Sequence, residues 1–227
     1  MTETNQILLS IAQCVERGKV NRASPYPPDL RERDGADELV RRAIDLGLEP
    51  QAILTEGLMA GMSVVGEEFR ARRIFVPEVL MAAKAMTAGM EHLRPFFASS
   101  QATHRGAMIL GTVLGDLHDI GKKLVGMMVE GAGWEVIDLG TDVAPEDFVA
   151  AVERRPDCVV GLSALLTTTM MNMKETVARL KDAYPETKII IGGAPVTGAF
   201  AREIGADAYA PDPPGAVDFL NSTAAEK

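Results

Sequence analysis

Apolar residues in the first half of the chain recur at helical spacing. The spacing predicts helices over residues 5–18, 36–47, 50–69 and 77–97. Pro50 and Pro77 stand where the first turn of a helix tolerates proline, and Gly18 and Gly47 are typical of helix ends. Four amphipathic helices with short connections indicate a bundle, so residues 1–98 are predicted to form a four-helix bundle domain.

The second half alternates short apolar runs with helical patterns, which is typical of a parallel α/β sheet. Strands are predicted at residues 107–113, 134–138, 158–162, 188–191 and 208–210. Helices are predicted at residues 120–131, 145–154, 170–183 and 197–204, with a last helix that starts at Pro214. The fold class is therefore α/β, with a flavodoxin-like (Rossmann-type) doubly wound five-stranded parallel sheet over residues 105–227. Residues 99–104 are the predicted linker.

Three loops with glycines or polar side chains follow predicted strands. The first is the heptapeptide 115–121, Gly-Asp-Leu-His-Asp-Ile-Gly, the second is 163–169, and the third is 192–194. Open α/β sheets bind ligands at the carboxyl ends of their strands, and in the flavodoxin-like order the crevice falls between strands one and three. Because those strands carry the first two loops, the sequence predicts a ligand site there.

The first loop has the chemistry of a metal ligand. His118 follows Asp116 by two residues, which suits an imidazole that offers one nitrogen to a metal while the other donates to a carboxylate. Gly121 removes a Cβ where a bulky ligand would approach the backbone. Asp119 has a simpler alternative role, because a carboxylate at this position suits the N-terminus of the following helix.

Composition excludes several other classes of protein. The net charge of -9 argues against nucleic acid as a partner, since phosphate binding needs clustered Lys and Arg. The two cysteines, Cys14 and Cys158, are far apart and lack zinc-site spacing, and Cys158 lies in an apolar run typical of a core strand. No apolar run approaches eighteen residues and no leader pattern begins the chain, so a cytoplasmic protein without a membrane partner is expected.

Taken together, the three loops resemble the cobalamin-binding module of the corrinoid proteins of three-component methyltransferase systems and of cobalamin-dependent methionine synthase. The shared signature is Asp-x-His-x-x-Gly, then Ser-x-Leu with hydroxyls, then Gly-Gly, and the likeness continues through residues 136–140 and 161–163. The resemblance implies that cobalamin or a related corrinoid is the cofactor. It makes His118 the lower axial ligand of cobalt, in place of the cofactor's own dimethylbenzimidazole.

The same resemblance assigns roles to the neighbouring residues. Asp116 would accept a hydrogen bond from His118, and Thr169 would complete the relay with a hydroxyl where methionine synthase has serine. Without the resemblance, Ser163, Thr167 and Thr169 would be ordinary turn hydroxyls or helix caps. The expected cofactor contacts in this module are Asp116, Leu117, His118, Asp119, Ile120, Gly121, Ser163, Leu165, Thr167, Thr169, Gly192, Gly193 and Ala194.

The predicted bundle also resembles the helical cap of methionine synthase, which covers the methyl-bearing face of the corrin. Phe69 and Val76 match the two apolar residues that shield the methyl group, with valine in place of leucine, and Glu56 matches a glutamate that contacts the corrin. Phe69 could instead be an ordinary residue of the bundle core.

The resemblance implies a methyl-carrier subunit without a catalytic site of its own. Its partners would be a substrate-specific methyltransferase, a second methyltransferase that acts on tetrahydrofolate or coenzyme M, and a reductive activase. One alternative is the cobalamin subunit of an isomerase, although those modules lack the helical cap. Another is a cobalamin-based sensor, although no DNA-binding segment or signalling domain is visible in the sequence.

Overall fold

The computed structural model describes residues 3–97 and 104–225. They fall into two compact units, one helical over residues 3–97 and one α/β that contains most of residues 104–225. The predicted linker lies outside the described residues, apart from His104. Within the two described ranges, no helix combines the length and the apolar character needed to cross a membrane.

The helical unit contains four rods in the predicted order. They are α1 (Glu3–Glu16), α2 (Ala36–Asp45), a composite rod, and α5 (Val76–Phe97). The composite rod joins α3 (Pro50–Ala52), a π-helical segment (Ile53–Met59) and α4 (Ala60–Arg70). The π-helical segment was not predicted. The prediction used the spacing of apolar residues, and a single widened turn leaves the apolar face of the helix in place. Gly61 allows this rod to approach α1 closely, since a Cβ there would lie 2.4 Å from the carbonyl oxygen of Ala12.

The proline-rich segment 19–35 connects α1 to α2 and is held to the helices by charged contacts. Arg17 forms two hydrogen bonds of 2.9 Å with Asp29, and both Arg22 and Arg42 pair with Asp34 at 2.5 Å. Lys19 is fully buried and donates to the carbonyl of Ser24 at 2.9 Å. The segment is therefore an ordered arm with a single turn of 3₁₀ helix at Pro28–Leu30.

The α/β unit confirms the predicted fold class. Its strands are β1 (Ala107–Thr112), β2 (Glu135–Asp138), β3 (Cys158–Ser163), β4 (Lys188–Gly192) and β5 (Ala208–Ala210). All neighbouring strands are parallel, and their order β2-β1-β3-β4-β5 is the flavodoxin-like one. Its helices are α6 (Ile120–Gly131), α7 (Pro145–Arg154), α8 (Asn172–Ala183), α9 (Gly198–Ile204) and α10 (Pro213–Ala225).

The core of this unit lies on the face of the sheet covered by α7, α8 and α9. Ile109, Val160 and Ile189 point to that face and cluster with Phe148 and Val177. Because β1 is buried on both faces, it appears in the sequence as a continuous apolar run rather than an alternating one. The opposite face, covered by α6 and α10, contains the site described below.

Candidate functional site

A cavity of about 590 Å³ lies at the carboxyl ends of β1, β3 and β4 and continues down one face of the sheet. The three predicted loops meet around it, as the strand order requires. The predicted site residues in its wall are Leu117, His118, Asp119, Ile120, Gly121, Ser163, Leu165, Gly192, Gly193 and Ala194. The volume is within the ordinary range for a small-molecule or cofactor pocket.

The remaining predicted site residues are not in this wall. Asp116 and Thr169 are buried behind it, with 0% and 7% exposure. Thr167 is exposed and lies outside the wall, so the structure does not bring it together with the other residues. Glu56, Phe69 and Val76 belong to the helical unit. A cofactor contact stays a prediction for these residues and for those in the cavity wall.

Asp116 and His118 are joined by two hydrogen bonds. The ring nitrogen Nδ1 of His118 lies 2.8 Å from Asp116 Oδ1, and the same oxygen accepts the backbone N–H of His118 at 3.0 Å. The loop is anchored below by the buried Thr112, whose hydroxyl donates to the His118 carbonyl at 2.9 Å. Both the ring and the backbone of His118 are therefore fixed in position.

The second carboxylate oxygen of Asp116 is bound by the loop that follows β3. It accepts the Leu165 N–H at 2.8 Å, the Leu166 N–H at 3.4 Å and the Thr169 hydroxyl at 2.6 Å. Burial by itself would raise the pKa of the Asp116 carboxyl. The hydrogen bonds from Thr169, the His118 and Leu165 N–H groups and the His118 ring outweigh burial and hold that pKa well below its usual range. Asp116 is therefore an anion at neutral pH.

The charge of Asp116 determines where the proton of His118 lies. A carboxylate only accepts hydrogen bonds, so Nδ1 carries a hydrogen and Nε2 is the ring nitrogen available to a ligand. The side chain is 51% exposed, and within the described part of the chain Nε2 makes no hydrogen bond. His118 is thus an oriented ligand with its donor atom free.

Two apolar residues surround this histidine at the surface. Leu117 and Ile120 are 73% and 74% exposed. Large apolar side chains at the mouth of a cavity are typical of a surface that a ligand covers. Asp119, which is between them in the sequence, forms an ion pair of 2.5 Å with Lys123 of α6.

Thr169 has the hydroxyl that the resemblance requires, and its extra methyl is accommodated. The methyl carbon lies beside Gly115, where even an added Cβ would be 3.6 Å away. We expect Thr169→Val to lower the free energy of unfolding by about 1–2 kcal/mol, because a buried carboxylate loses one charged hydrogen bond. Thr169→Ser keeps that bond and should stay within about 1 kcal/mol of wild type. Urea unfolding measures both, and equal losses in the two variants would contradict the role of the hydroxyl.

The loop after β4 passes directly against the loop after β3. Gly193 has a φ of +126°, and a Cβ on it would lie 1.8 Å from the carbonyl oxygen of Ala164. No side chain larger than hydrogen fits there without movement of the backbone. The second glycine of the Gly-Gly motif therefore lets these two loops of the cavity wall pack against each other.

Sequence reasoning missed the floor of the cavity. Its apolar part is formed by alternate residues of the central strands, Met108, Leu110, Gly161 and Ile190, and its far wall is formed by residues 209–213. A Cβ on Gly161 would lie 2.2 Å from the Met108 methyl, so this glycine makes room for the methionine. The alternation of side chains along a strand could have identified the floor residues, because positions 108 and 110 share one face.

Comparison with known proteins matches both halves of the chain. Two family models, both described as a B12 binding domain, match residues 106–217 and 31–94. The chain is 40% identical over 198 residues to a corrinoid protein of Desulfitobacterium hafniense (strain Y51), with 84% of this chain and 90% of that protein covered. It is 44% identical over 196 residues to trimethylamine corrinoid protein 2 of Methanosarcina acetivorans, with the same coverage of 84% and 90%.

Two solved structures share the fold over almost the whole chain. The methanol:cobalamin methyltransferase complex MtaBC from Methanosarcina barkeri contains a chain that matches with a TM-score of 0.82 and 28% identity, covering 98% of this chain and 81% of that one. A cobalamin-binding protein from Desulfitobacterium hafniense DCB-2 matches with a TM-score of 0.73 and 29% identity, covering 97% and 98%. The chain therefore belongs to the family of corrinoid proteins of methyltransferase systems.

Proposed function

We propose that this chain is a corrinoid methyl carrier in which His118 is the lower axial ligand of cobalt. The observation that supports this most directly is the hydrogen-bonded chain of Thr169, Asp116 and His118, which ends in a free Nε2 at the mouth of a cavity of about 590 Å³. When bound, the corrinoid supplies a cobalt atom that accepts and gives up a methyl group.

The residues present fit such a group. A corrinoid that is ligated by a protein histidine must place its displaced nucleotide tail elsewhere, and the cavity beside His118 is deep and mainly apolar in its floor. Gly192 and Gly193 give the tail a wall without side chains. Leu117 and Ile120 would lose their exposure to water under the corrin ring, a favourable change because each is an apolar side chain.

Asp116 would hold His118 both when the histidine is bound to cobalt and when it is released. With a hydrogen on Nδ1, His118 would bind cobalt through Nε2. A released His118 would keep the hydrogen bond from Nδ1 to the Asp116 carboxylate. Asp116 stabilises both forms, and Thr169 keeps Asp116 in place by donating to its other oxygen.

The partners follow from the carrier role. We propose three protein partners for this chain. One is a substrate-specific methyltransferase that loads the methyl group, the second is a methyltransferase that transfers it to tetrahydrofolate or coenzyme M, and the third is a reductive activase. Relatives named for trimethylamine and dimethylamine, and a methanol:cobalamin methyltransferase complex, point to a small methylated compound as the donor. The proposal also gives the domain of residues 1–98 the role of a cap, with Phe69 and Val76 as the methyl shield and Glu56 as a corrin contact.

The experiment that tests the ligand is electron paramagnetic resonance of the Co(II) form. The protein is prepared with ¹⁵N-labelled histidine, loaded with hydroxocobalamin, desalted and reduced. Ligation by His118 predicts doublet splitting from ¹⁵N, whereas a retained dimethylbenzimidazole gives the triplet of ¹⁴N. A triplet in the wild-type protein would contradict the assignment.

The matching variant is His118→Ala. We expect corrinoid retention after desalting to fall about tenfold or more and the doublet to disappear. Folding should be little affected, because the side chain is half exposed. His104→Ala removes an exposed histidine of the same unit that does not line the cavity, and it should behave as wild type. Equal retention in all three proteins would remove His118 from the site.

A further inference from the structure

The loop that follows β2 is hydrogen-bonded to the end of β1 and to α6, the two elements that flank the His118 loop. The N–H of Thr112 donates to the Gly140 carbonyl at 3.0 Å, and the N–H of Val143 donates to the Thr112 carbonyl at 3.0 Å. Lys122, whose side chain is buried, donates to the same Gly140 carbonyl at 3.0 Å. The loop at 139–143 is therefore a fixed neighbour of the histidine loop.

Asp142 makes the most specific of these contacts. Its Oδ1 accepts the N–H of Gly115 at 2.6 Å, and its own N–H donates to the carbonyl of Asp116 at 3.0 Å. One residue thus binds the N–H of Gly115 and the C=O of Asp116, the two backbone groups that flank the 115–116 peptide bond. The Cα of Asp116, which directs its carboxylate toward His118, is held by this pair of bonds.

The backbone of Asp142 is itself unusual. Its φ is +56°, in the left-handed region that side chains other than glycine seldom adopt. Aspartate tolerates this conformation better than most residues, but it still costs free energy. The left-handed conformation turns the N–H and the carboxylate of the same residue toward one neighbouring loop, and the contact requires both.

An ordinary capping role does not account for Asp142. The N-cap residue of α7 is Ala144 and Pro145 is the first helical residue, so Asp142 lies two residues before the cap. The carboxylate is directed to Gly115. We propose that Asp142 is a positioning residue that holds Asp116 where its carboxylate can bind His118. The part of this proposal that concerns cobalt ligation rests on the proposed function.

The first test uses the apo protein and needs no corrinoid. In wild type, ¹⁵N shifts of the His118 ring should report the single tautomer with hydrogen on Nδ1, and the Gly115 amide should exchange slowly. Asp142→Ala should mix the two tautomers and speed exchange at Gly115 about tenfold. Asp142→Asn keeps an oxygen acceptor and tolerates the left-handed backbone, so it should remain close to wild type. Asp147→Ala removes an exposed carboxylate of the next helix and is the control.

The second test repeats the Co(II) resonance measurement on these variants. Asp142→Ala should show a smaller fraction of the ¹⁵N doublet than wild type, Asp142→Asn or Asp147→Ala. Unchanged tautomer, exchange and doublet fraction in Asp142→Ala would overturn the proposal, as would equal changes in Asp147→Ala. If wild type shows no doublet, the ligand assignment fails. The apo tautomer and exchange results then still decide the positioning role, so the two failures are distinct.

Discussion

Gly193→Ala is expected to abolish corrinoid retention and to lower the free energy of unfolding by about 3 kcal/mol. Two effects add at this residue: a φ of +126° that an alanine rarely adopts, and a Cβ placed 1.8 Å from the Ala164 carbonyl oxygen. Since that carbonyl belongs to backbone, the loops after β3 and β4 must separate, and both form walls of the cavity. Urea unfolding and desalting after loading with hydroxocobalamin measure the two effects.

The matched control for this variant is Gly205→Ala. Gly205 also has a positive φ, +80°, but a Cβ there meets nothing within 4 Å. Gly205→Ala should therefore lower the free energy of unfolding only by the backbone strain, about 1 kcal/mol, and leave corrinoid retention unchanged. If Gly205→Ala proved as damaging as Gly193→Ala, strain alone would explain the result and the close contact with Ala164 would have no separate role.

Asp116→Asn is expected to be the most damaging substitution of a polar residue in the α/β unit, with a loss of about 3 kcal/mol. The carboxylate is wholly buried and accepts hydrogen bonds from His118, Leu165 and Thr169. An amide of the same shape turns an NH₂ group toward donors, so at least one buried donor loses its acceptor. Asp182→Asn, an exposed change on α8, should stay within about 0.5 kcal/mol of wild type.

The unfolding free energies of wild type and Asp116→Asn should also respond differently to low pH. The pKa of Asp116 is lowered in the folded state, so its contribution to stability is complete above the unfolded pKa of about 4 and is lost as pH falls below it toward the folded pKa. Asp116→Asn cannot lose this contribution. The difference in unfolding free energy between wild type and variant should therefore shrink between pH 5 and 2. A constant difference over that range would show that Asp116 is not the titrating group.

Much of the fold was predictable because local signals agreed with each other. Five strands appeared as short apolar runs, and Pro50 marked the beginning of a helix. The errors were local. The helix predicted from residue 170 begins at Asn172, because residues 164–171 direct the N–H groups of Leu165 and Leu166 and the Thr169 hydroxyl to Asp116. Apolar periodicity carries no information about such a use of the backbone.

The chemistry of the site was predictable in part for a related reason. Asp116 and His118 are two residues apart, so their pairing is a property of one short loop and is visible in the sequence. Thr169 lies 53 residues from Asp116, and only its resemblance to a known hydroxyl suggested the contact. Asp142 carried no such resemblance, and its contacts with Gly115 and Asp116 join loops that are far apart in the sequence.

By itself, then, the amino-acid sequence determined the order of the elements, the three loops at the strand ends and the histidine with its nearest carboxylate, because each depends on residues close together in the chain. The tertiary structure alone decided which distant groups reach them. The parallel pairing of β1 with β3 and of β3 with β4 brings Leu165 and Thr169 onto Asp116 and Gly193 against Ala164. Burial alone would favour the uncharged carboxyl, and Asp116 stays charged because hydrogen bonds that form only when the strands are side by side outweigh the effect of burial.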